Sequence, residues 1–385
     1  MPAPVPSARR VLAVTLLWAA GIWTVALVAA RSTPWLTGPN TWSYEVKRRA
    51  TPLARWDSGW YISIAESGYM LPPRKFGEET NHAFFPLYPL LMRAVMRTTG
   101  IETSLAGNLI SLACFLGAAV TFARWVAARW GPERVMPALL ALLAFPTSFF
   151  FLTVYTEALF LLLALLAADS VDRDRPLVAA VAGYLAGLTR ISGVVLGPYL
   201  ALSSFFRGRS RGRGVLASIG AGAVTGLPPL LGFATFCAYF WRRYGDPFLF
   251  STAQHNWGSA EKTAWDGPIL IARAILEDVS TGRIFHKSPA RTLEGVFFLL
   301  FAFLAWRLLR EKRWPESLYT FLTIGLVPFT GTLESAGRYV LPAFPGFPVL
   351  GSLAATPPLF RALLALGFLT QAAYVWVFVH WLWAG

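Results

Sequence analysis

Apolar residues arrive along this chain in runs of roughly 15 to 25, the length a helix needs to cross a hydrocarbon core of about 30 Å. The first run, 11–30, follows a Pro-rich start and Arg9-Arg10. Its VALVAA ending resembles a signal-peptide cleavage site, yet it is longer than a signal core and more runs follow. It predicts an uncleaved first helix with a cytoplasmic N-terminus. Further spans are predicted at 104–128, 135–153, 156–168, 177–189, 191–206, 215–240, 293–309, 317–332, 339–355 and 359–383. Two stretches lack such runs and read as large loops on the far side, 31–103 and 241–292. Several spans are short for a bilayer, and short or Gly/Pro-interrupted spans are tolerated where they line a protein cavity. The pair around Arg190 reads as a hairpin; a single broken helix there would reverse everything downstream.

The first loop carries the densest polar and aromatic pattern, RWDSGWYISIAESGY at 55–69 followed by FFPLYP at 84–89. A helix over 58–67 places Trp60, Tyr61, Ile64 and Gly68 on one face, which suits a short helix in the membrane interface. Asp57 stands at its entrance, either as an N-cap or as a group with chemistry to do. Glu66, nine positions on, points about 180° away, so the two carboxylates are not a pair. Pro86 and Pro89 are expected to break any continuous helix, leaving a bent interfacial element.

Composition narrows the class. The chain has 385 residues, 55% hydrophobic and 14% charged, with a formal net charge of +14. That charge does not indicate nucleic acid, because the arginines sit in short clusters between apolar runs, as the positive-inside bias produces. With the Arg190 hairpin, Arg124, Arg129 and Arg134, Arg173 and Arg175, 207–213, 307–313 and Arg361 all fall on the cytoplasmic side. The cluster at 207–213 reads as a topology determinant near anionic lipid. Cys114 and Cys237 match no metal-ligand spacing and read as core residues. The abundance of Arg, Ala, Gly and Pro suggests a bacterial source. No internal repeat and no soluble domain is visible, so 1–385 reads as one membrane-embedded domain.

The same topology gathers the remaining polar segments on the side opposite the arginine clusters. They are YTEALF at 155–160, LTRISG at 188–193, YGDPFLFSTAQHNW at 244–257 and ESAGRY at 334–339. Ionisable residues beside membrane spans are functional candidates because they are costly to hold there. Glu157 either caps a helix and complements its dipole or serves the site. Glu334 and Arg338 have the spacing of a helical ion pair. Arg190 has no adjacent carboxylate in sequence, and its forked donors suit a phosphate. His82, Gln254, His255 and Trp257 are either substrate contacts or loop anchors.

These motifs carry a resemblance. WD followed by WYISIAESGY and HAFFPLYP, then YTEALF, TRISG, GDPFLF with QHNW, and SAGRYVLPAFPGF in that order, resembles the glycosylphosphatidylinositol mannosyltransferase II (PIG-V-like) family and its bacterial relatives. The resemblance implies an all-α polytopic integral membrane protein of the GT-C glycosyltransferase type, with about 10–11 transmembrane helices. It implies transfer of mannose from polyprenyl-phosphate mannose to a lipid or protein acceptor on the outer face of a bacterial plasma membrane. The resemblance carries the role of base onto Asp57; from their own chemistry and position, Arg190, Arg338 and His82 are expected as the donor-phosphate contacts. Arg55, Trp56, Trp60, Tyr61, Tyr88, Glu157, Gln254, His255, Trp257 and Tyr339 are the substrate contacts. No metal or other cofactor is expected, since arginines can do the work of a divalent cation. The chain is compact beside eukaryotic members, which argues against a glycosylphosphatidylinositol acceptor. A transporter or lipid-linked sugar flippase, a noncatalytic subunit of a glycosylation complex, and an enzyme for another polyprenyl-phosphate sugar are the rival readings. Glu66 and Glu157 are the rival bases.

Overall fold

A computed structural model describes residues 5–32, 51–75, 77–255, 289–327, 335–353 and 356–382. Helices dominate: α1 Ala8–Ser32, α2 Ser58–Ser67, α3 Leu87–Thr99, α4 Thr103–Trp130, α5 Val135–Ala144, α6 Glu157–Asp172, α7 Pro176–Gly187 and α8 Ser192–Ser210. They continue as α9 Val215–Tyr244, α10 Leu249–His255, α11 Pro289–Arg310, α12 Trp314–Gly325, α13 Ala336–Tyr339, α14 Gly346–Leu350 and α15 Pro357–Val379. Among the described residues there is no strand. One continuous apolar core runs from Val11 in α1 to Val379 in α15.

Among the described residues, four helices, α1, α4, α9 and α15, are individually long and apolar enough to cross a membrane. Shorter helices pack among them. Of the predicted spans, 135–153 stops as an α-helix at Ala144 and continues as a 3-10 turn at Ser148–Leu152. The predicted span 339–355 is not a helix but two short ones, α13 and α14, separated at Pro342 and Pro345. Residues 340–349 are buried in protein, and an apolar run with prolines survives at membrane depth only when protein satisfies its backbone. Where α5 ends, the amide of Gln371 on α15 donates to the carbonyls of Leu143 and Phe145 at 3.1 and 2.8 Å. The Gln371 oxygen accepts from the Trp18 indole at 2.9 Å. A polar side chain inside an apolar helix thus ties α1 and α15 to the loose end of α5.

The hairpin around Arg190 is present. α7 and α8 run antiparallel, and both pack on α9 through backbone so close that side chains are excluded. A Cβ on Gly187 would lie 2.1 Å from the Pro229 carbonyl oxygen, and one on Gly232 would lie 2.1 Å from that of Tyr184.

The first loop differs from its expected form in two ways. α2 is not a one-faced interfacial helix: Ser58, Gly59, Tyr61, Ile62, Ser63, Ile64 and Ala65 are all buried, so protein covers most of its surface. The amphipathic helix is α3, which leaves Leu90 and Leu91 exposed while burying Tyr88, Pro89 and Met92. Pro89 does not break α3, because it sits in the first turn, where the missing N–H has no helical partner to lose. Pro86 is the N-cap.

Candidate functional site

Asp57 is set by the chain on either side of it. Arg55 is buried and donates to the carbonyls of Val379 at 3.1 Å, Thr51 at 2.9 Å and Ala54 at 3.0 Å, fastening the loop to the end of α15. Its guanidinium also faces the Trp381 ring at 5.4 Å, and burial lowers its pKa to about 10, which leaves it charged at neutral pH. Trp56 takes a left-handed φ of 53°, unusual for a bulky side chain, and its ring meets Trp381 at 6.0 Å. This twist turns the chain into α2. The Asp57 backbone N–H then donates to the Tyr155 hydroxyl at 3.1 Å, and that hydroxyl lies 3.3 Å from the Arg55 carbonyl it donates to.

Asp57 occupies the N-cap position, but its side chain caps nothing. Its Oδ2 accepts from Arg338 Nη1 at 2.7 Å. No hydrogen bond from a described residue reaches Oδ1. The carboxylate keeps 16% of its side-chain surface open, against 2% for Glu157.

Arg338 comes from the short α13 turn, which is clamped from two sides. The Thr147 hydroxyl donates to the Gly337 carbonyl at 2.7 Å, and a Glu294 carboxylate oxygen accepts the Gly337 N–H. A Cβ on Gly337 would come within 2.8 Å of both Phe297 and Thr147, so glycine is required for the approach. The guanidinium sits over Tyr155 at 5.1 Å, Tyr339 at 5.4 Å and Phe150 at 5.7 Å.

Glu157, the first residue of α6, links the two arginines. Its Oε1 accepts from Arg190 Nη1 at 2.9 Å and lies 3.7 Å from Arg338 Nε. Sequence neighbours leave Arg190 without a carboxylate; the fold supplies one 33 positions away. Tyr339 lies 5.8 Å from the Arg190 guanidinium as well, so one ring faces both arginines. The result is an alternating row, Asp57, Arg338, Glu157, Arg190, with two negative and two positive charges. Such a row is costly to desolvate and strongly destabilised when one member is removed.

The other candidates are placed differently. Trp60 stacks on Phe84 at 6.1 Å, and Tyr61 meets Phe84, Tyr88 and Tyr155 at 5.0, 5.5 and 6.2 Å. Tyr88 is fully buried, its hydroxyl bonded to the Gly107 carbonyl at 2.9 Å and to Ser111 at 2.8 Å, which makes it a pin between α3 and α4. His82 is buried in a second aromatic group, with Tyr69 at 5.8 Å, Phe240 at 5.5 Å and Tyr244 at 5.2 Å, and its Nδ1 meets the Thr80 hydroxyl at 2.9 Å. Burial pushes its pKa down to about 4, so it is neutral at pH 7. Glu66 is exposed near the end of α2 opposite Asp57 and accepts from Thr103 at 2.7 Å. Gln254 is exposed on α10. The His255 side chain, Trp257 and Glu334 lie outside the described residues, so the Glu334–Arg338 pairing does too. Tyr155, Thr147, Gly337 and Glu294 join the site through the fold, and the sequence motifs do not mark them individually. Glu294 had a readable signal, a carboxylate inside an apolar run. Among the described residues, no three His, Cys, Asp or Glu side chains gather as a metal site.

Comparison with known proteins adds the family. The model for the mannosyltransferase (PIG-V) family matches residues 8–207, just over half of the chain. That span holds Asp57, Glu157 and Arg190 and ends before Arg338. No curated protein matches the chain by sequence. With its helices built to cross a bilayer and its charged row gathered around Asp57, the chain belongs to the mannosyltransferase (PIG-V) family and is a membrane-embedded mannosyltransferase.

Proposed function

We propose that the enzyme transfers mannose from a polyprenyl-phosphate donor to the hydroxyl of a lipid or protein acceptor, with inversion at the sugar C1, on the outer face of a bacterial plasma membrane. The observation that carries this reading is the pairing of Asp57 with Arg338. One carboxylate oxygen is held by the guanidinium at 2.7 Å, which orients the other for an acceptor hydroxyl. Asp57 Oδ1 takes the hydroxyl proton as the acceptor oxygen bonds to C1. The C1–O bond to phosphate breaks on the opposite face, and its electron pair leaves with the phosphate. Arg338 and Arg190 stand beside it, and forked guanidinium donors suit the negative charge that develops there. Glu157 balances both arginines before the phosphate arrives.

The orientation rests on the arginine clusters. α6 begins at Glu157 in the charged row and ends at Asp172, which accepts from Arg129 at 2.7 Å. Its 16 residues span about 24 Å at 1.5 Å each. The row and the basic clusters therefore occupy opposite ends of the helices, and the positive-inside bias puts the clusters in the cytoplasm.

The test is transfer of labelled mannose from polyprenyl-phosphate mannose by membranes containing the wild-type chain or Asp57→Asn. Transfer by the wild type and none by a folded mutant is expected. A mutant with full activity removes Asp57 as base, and a wild type that transfers only from a nucleotide sugar removes the donor. Activity is expected to persist in EDTA; loss restored by magnesium or manganese would overturn metal independence.

A further inference from the structure

The cytoplasm-facing assignment of the arginine clusters leaves one feature unused, a cavity of about 240 Å³ at the end of the helices opposite the charged row. It is a half-open cavity lined by α8 and α9, the end of α6, the turn into α7 and the turn after α8. Its lining includes Arg175, Arg207, Arg211 and Arg213 with a single carboxylate, Asp174. Asp174 is shared by Arg211 at 2.7 Å and Arg213 at 3.3 Å, and it takes a left-handed φ of 57° to reach them. Arg207 approaches Asp172 only at 3.9 Å, while Asp172 already holds Arg129 through both oxygens. Arg175 has no carboxylate within ion-pair distance among the described residues, and the buried Arg207 Nε has no hydrogen-bond partner there. The lining thus carries an excess of positive charge and an orphaned donor.

The far wall is of another kind. Val171, Val224 and Ala221 are apolar, and the Ser204 and Thr225 hydroxyls bond each other at 2.7 Å. Beyond the lining, Leu177, Val181 and Leu216 are 75%, 53% and 84% exposed on α7 and α9, an aliphatic surface suited to lipid. The volume exceeds the roughly 150 Å³ that accommodates a benzene ring but falls below the roughly 300 Å³ at which drug-sized sites begin. It fits a headgroup, with the rest of an amphiphile lying along the exposed aliphatic side chains.

We propose that this cavity is a binding site for the phosphate headgroup of an anionic phospholipid in the adjacent leaflet. Arg175 and Arg207 supply the free donors, Arg211 and Arg213 the surrounding charge, and the outer faces of α7 and α9 the acyl-chain contact. Guanidinium is the side chain best matched to phosphate oxygens, and basic pockets between transmembrane helices bind anionic headgroups. The site stands apart from the charged row and does not rest on the donor assigned above.

Native mass spectrometry of the full chain, released from nanodiscs of phosphatidylglycerol mixed with phosphatidylcholine, reads the site directly. Wild type is expected to retain one phosphatidylglycerol preferentially. Arg175→Gln, which breaks no ion pair, is expected to weaken that retention about tenfold, the effect of about 1.4 kcal/mol. Ala221→Phe keeps every arginine but fills the cavity, and it is expected to abolish the preference. Retention unchanged in Ala221→Phe would mean that the arginines act as a diffuse surface, which overturns the cavity site. Equal retention of both lipids by wild type would overturn it as well. In a parallel thermal-unfolding measurement, protection by inorganic phosphate equal to that by phosphatidylglycerol would assign the cavity to free phosphate and overturn the lipid.

Discussion

The two carboxylates of the charged row differ in one measurable respect, their openness. Glu157 is 2% exposed and balances two arginines, whereas Asp57 is 16% exposed and holds one. Glu157→Gln is therefore expected to cost about 3–5 kcal/mol of stability, because it leaves buried guanidinium charge uncompensated. Asp57→Asn retains an acceptor for Arg338 and is expected to cost less than about 2 kcal/mol while lowering kcat by 10²–10⁴-fold. Thermal unfolding and turnover measured on both variants separate the roles. A stable, inactive Glu157→Gln beside an active Asp57→Asn would exchange them. His82 yields a prediction of a different kind. Its pKa falls from 6.5 to about 4 on folding, so the unfolded chain binds the proton more readily. The stability it allows is intact at neutral pH and declines as pH drops through 6.5 toward 4. His82→Phe is expected to flatten that acid limb in thermal unfolding measured between pH 7 and 4.5; an unchanged slope would show that carboxylates alone set it.

Elements were legible where hydrophobic runs had ends. α1, α4 and α9 lie within a few residues of their predicted bounds, and α2 spans the residues the spacing assigned. The run at 339–355 reads as a span and folds otherwise, because composition cannot separate a lipid-facing helix from apolar chain folded inside protein. Its Pro342, Pro345 and Pro348 were the available warning. The partner of Arg190 was hidden for another reason: Glu157 meets it only because α7 and α8 turn back beside α6. That turn depends on close backbone packing, which a sequence records only as glycine. Gly187→Ala or Gly232→Ala drives a methyl group to about 2 Å from a carbonyl oxygen, a collision that separating the helices alone relieves. Each is expected to cost about 3 kcal/mol or more and to lower transfer activity by displacing Arg190. Gly220→Ala on the same helix α9 meets nothing within 4 Å and serves as the control. Equal thermal stability of the three variants would mean that α7 and α9 are not held at this distance.

At the scale of the whole molecule, charge is sorted along the helices. The end that includes Arg129, Arg173 and Arg207–Arg213 is rich in cations, while the Asp57 end gathers equal numbers of acid and base in its row. In the orientation proposed above, this sorting turns the Asp57 end outward, and the side it faces sets the kind of donor that reaches the site. An outward site calls for a sugar already on a lipid carrier, since nucleotide sugars are made in the cytoplasm. Cysteine scanning decides the matter. Cys114 and Cys237 are first replaced by serine, and a single cysteine is placed at Lys75, exposed in the loop after α2, or at Ser210, exposed at the end of α8. A membrane-impermeant maleimide applied to intact cells is expected to label Lys75→Cys and to spare Ser210→Cys until the membrane is opened. The reverse pattern would place Asp57 in the cytoplasm, where the arginine clusters would contradict the positive-inside bias. A water-soluble nucleotide sugar would then be the donor to test first. The charged row would keep its geometry in either case; what changes is which side of the membrane supplies the mannose.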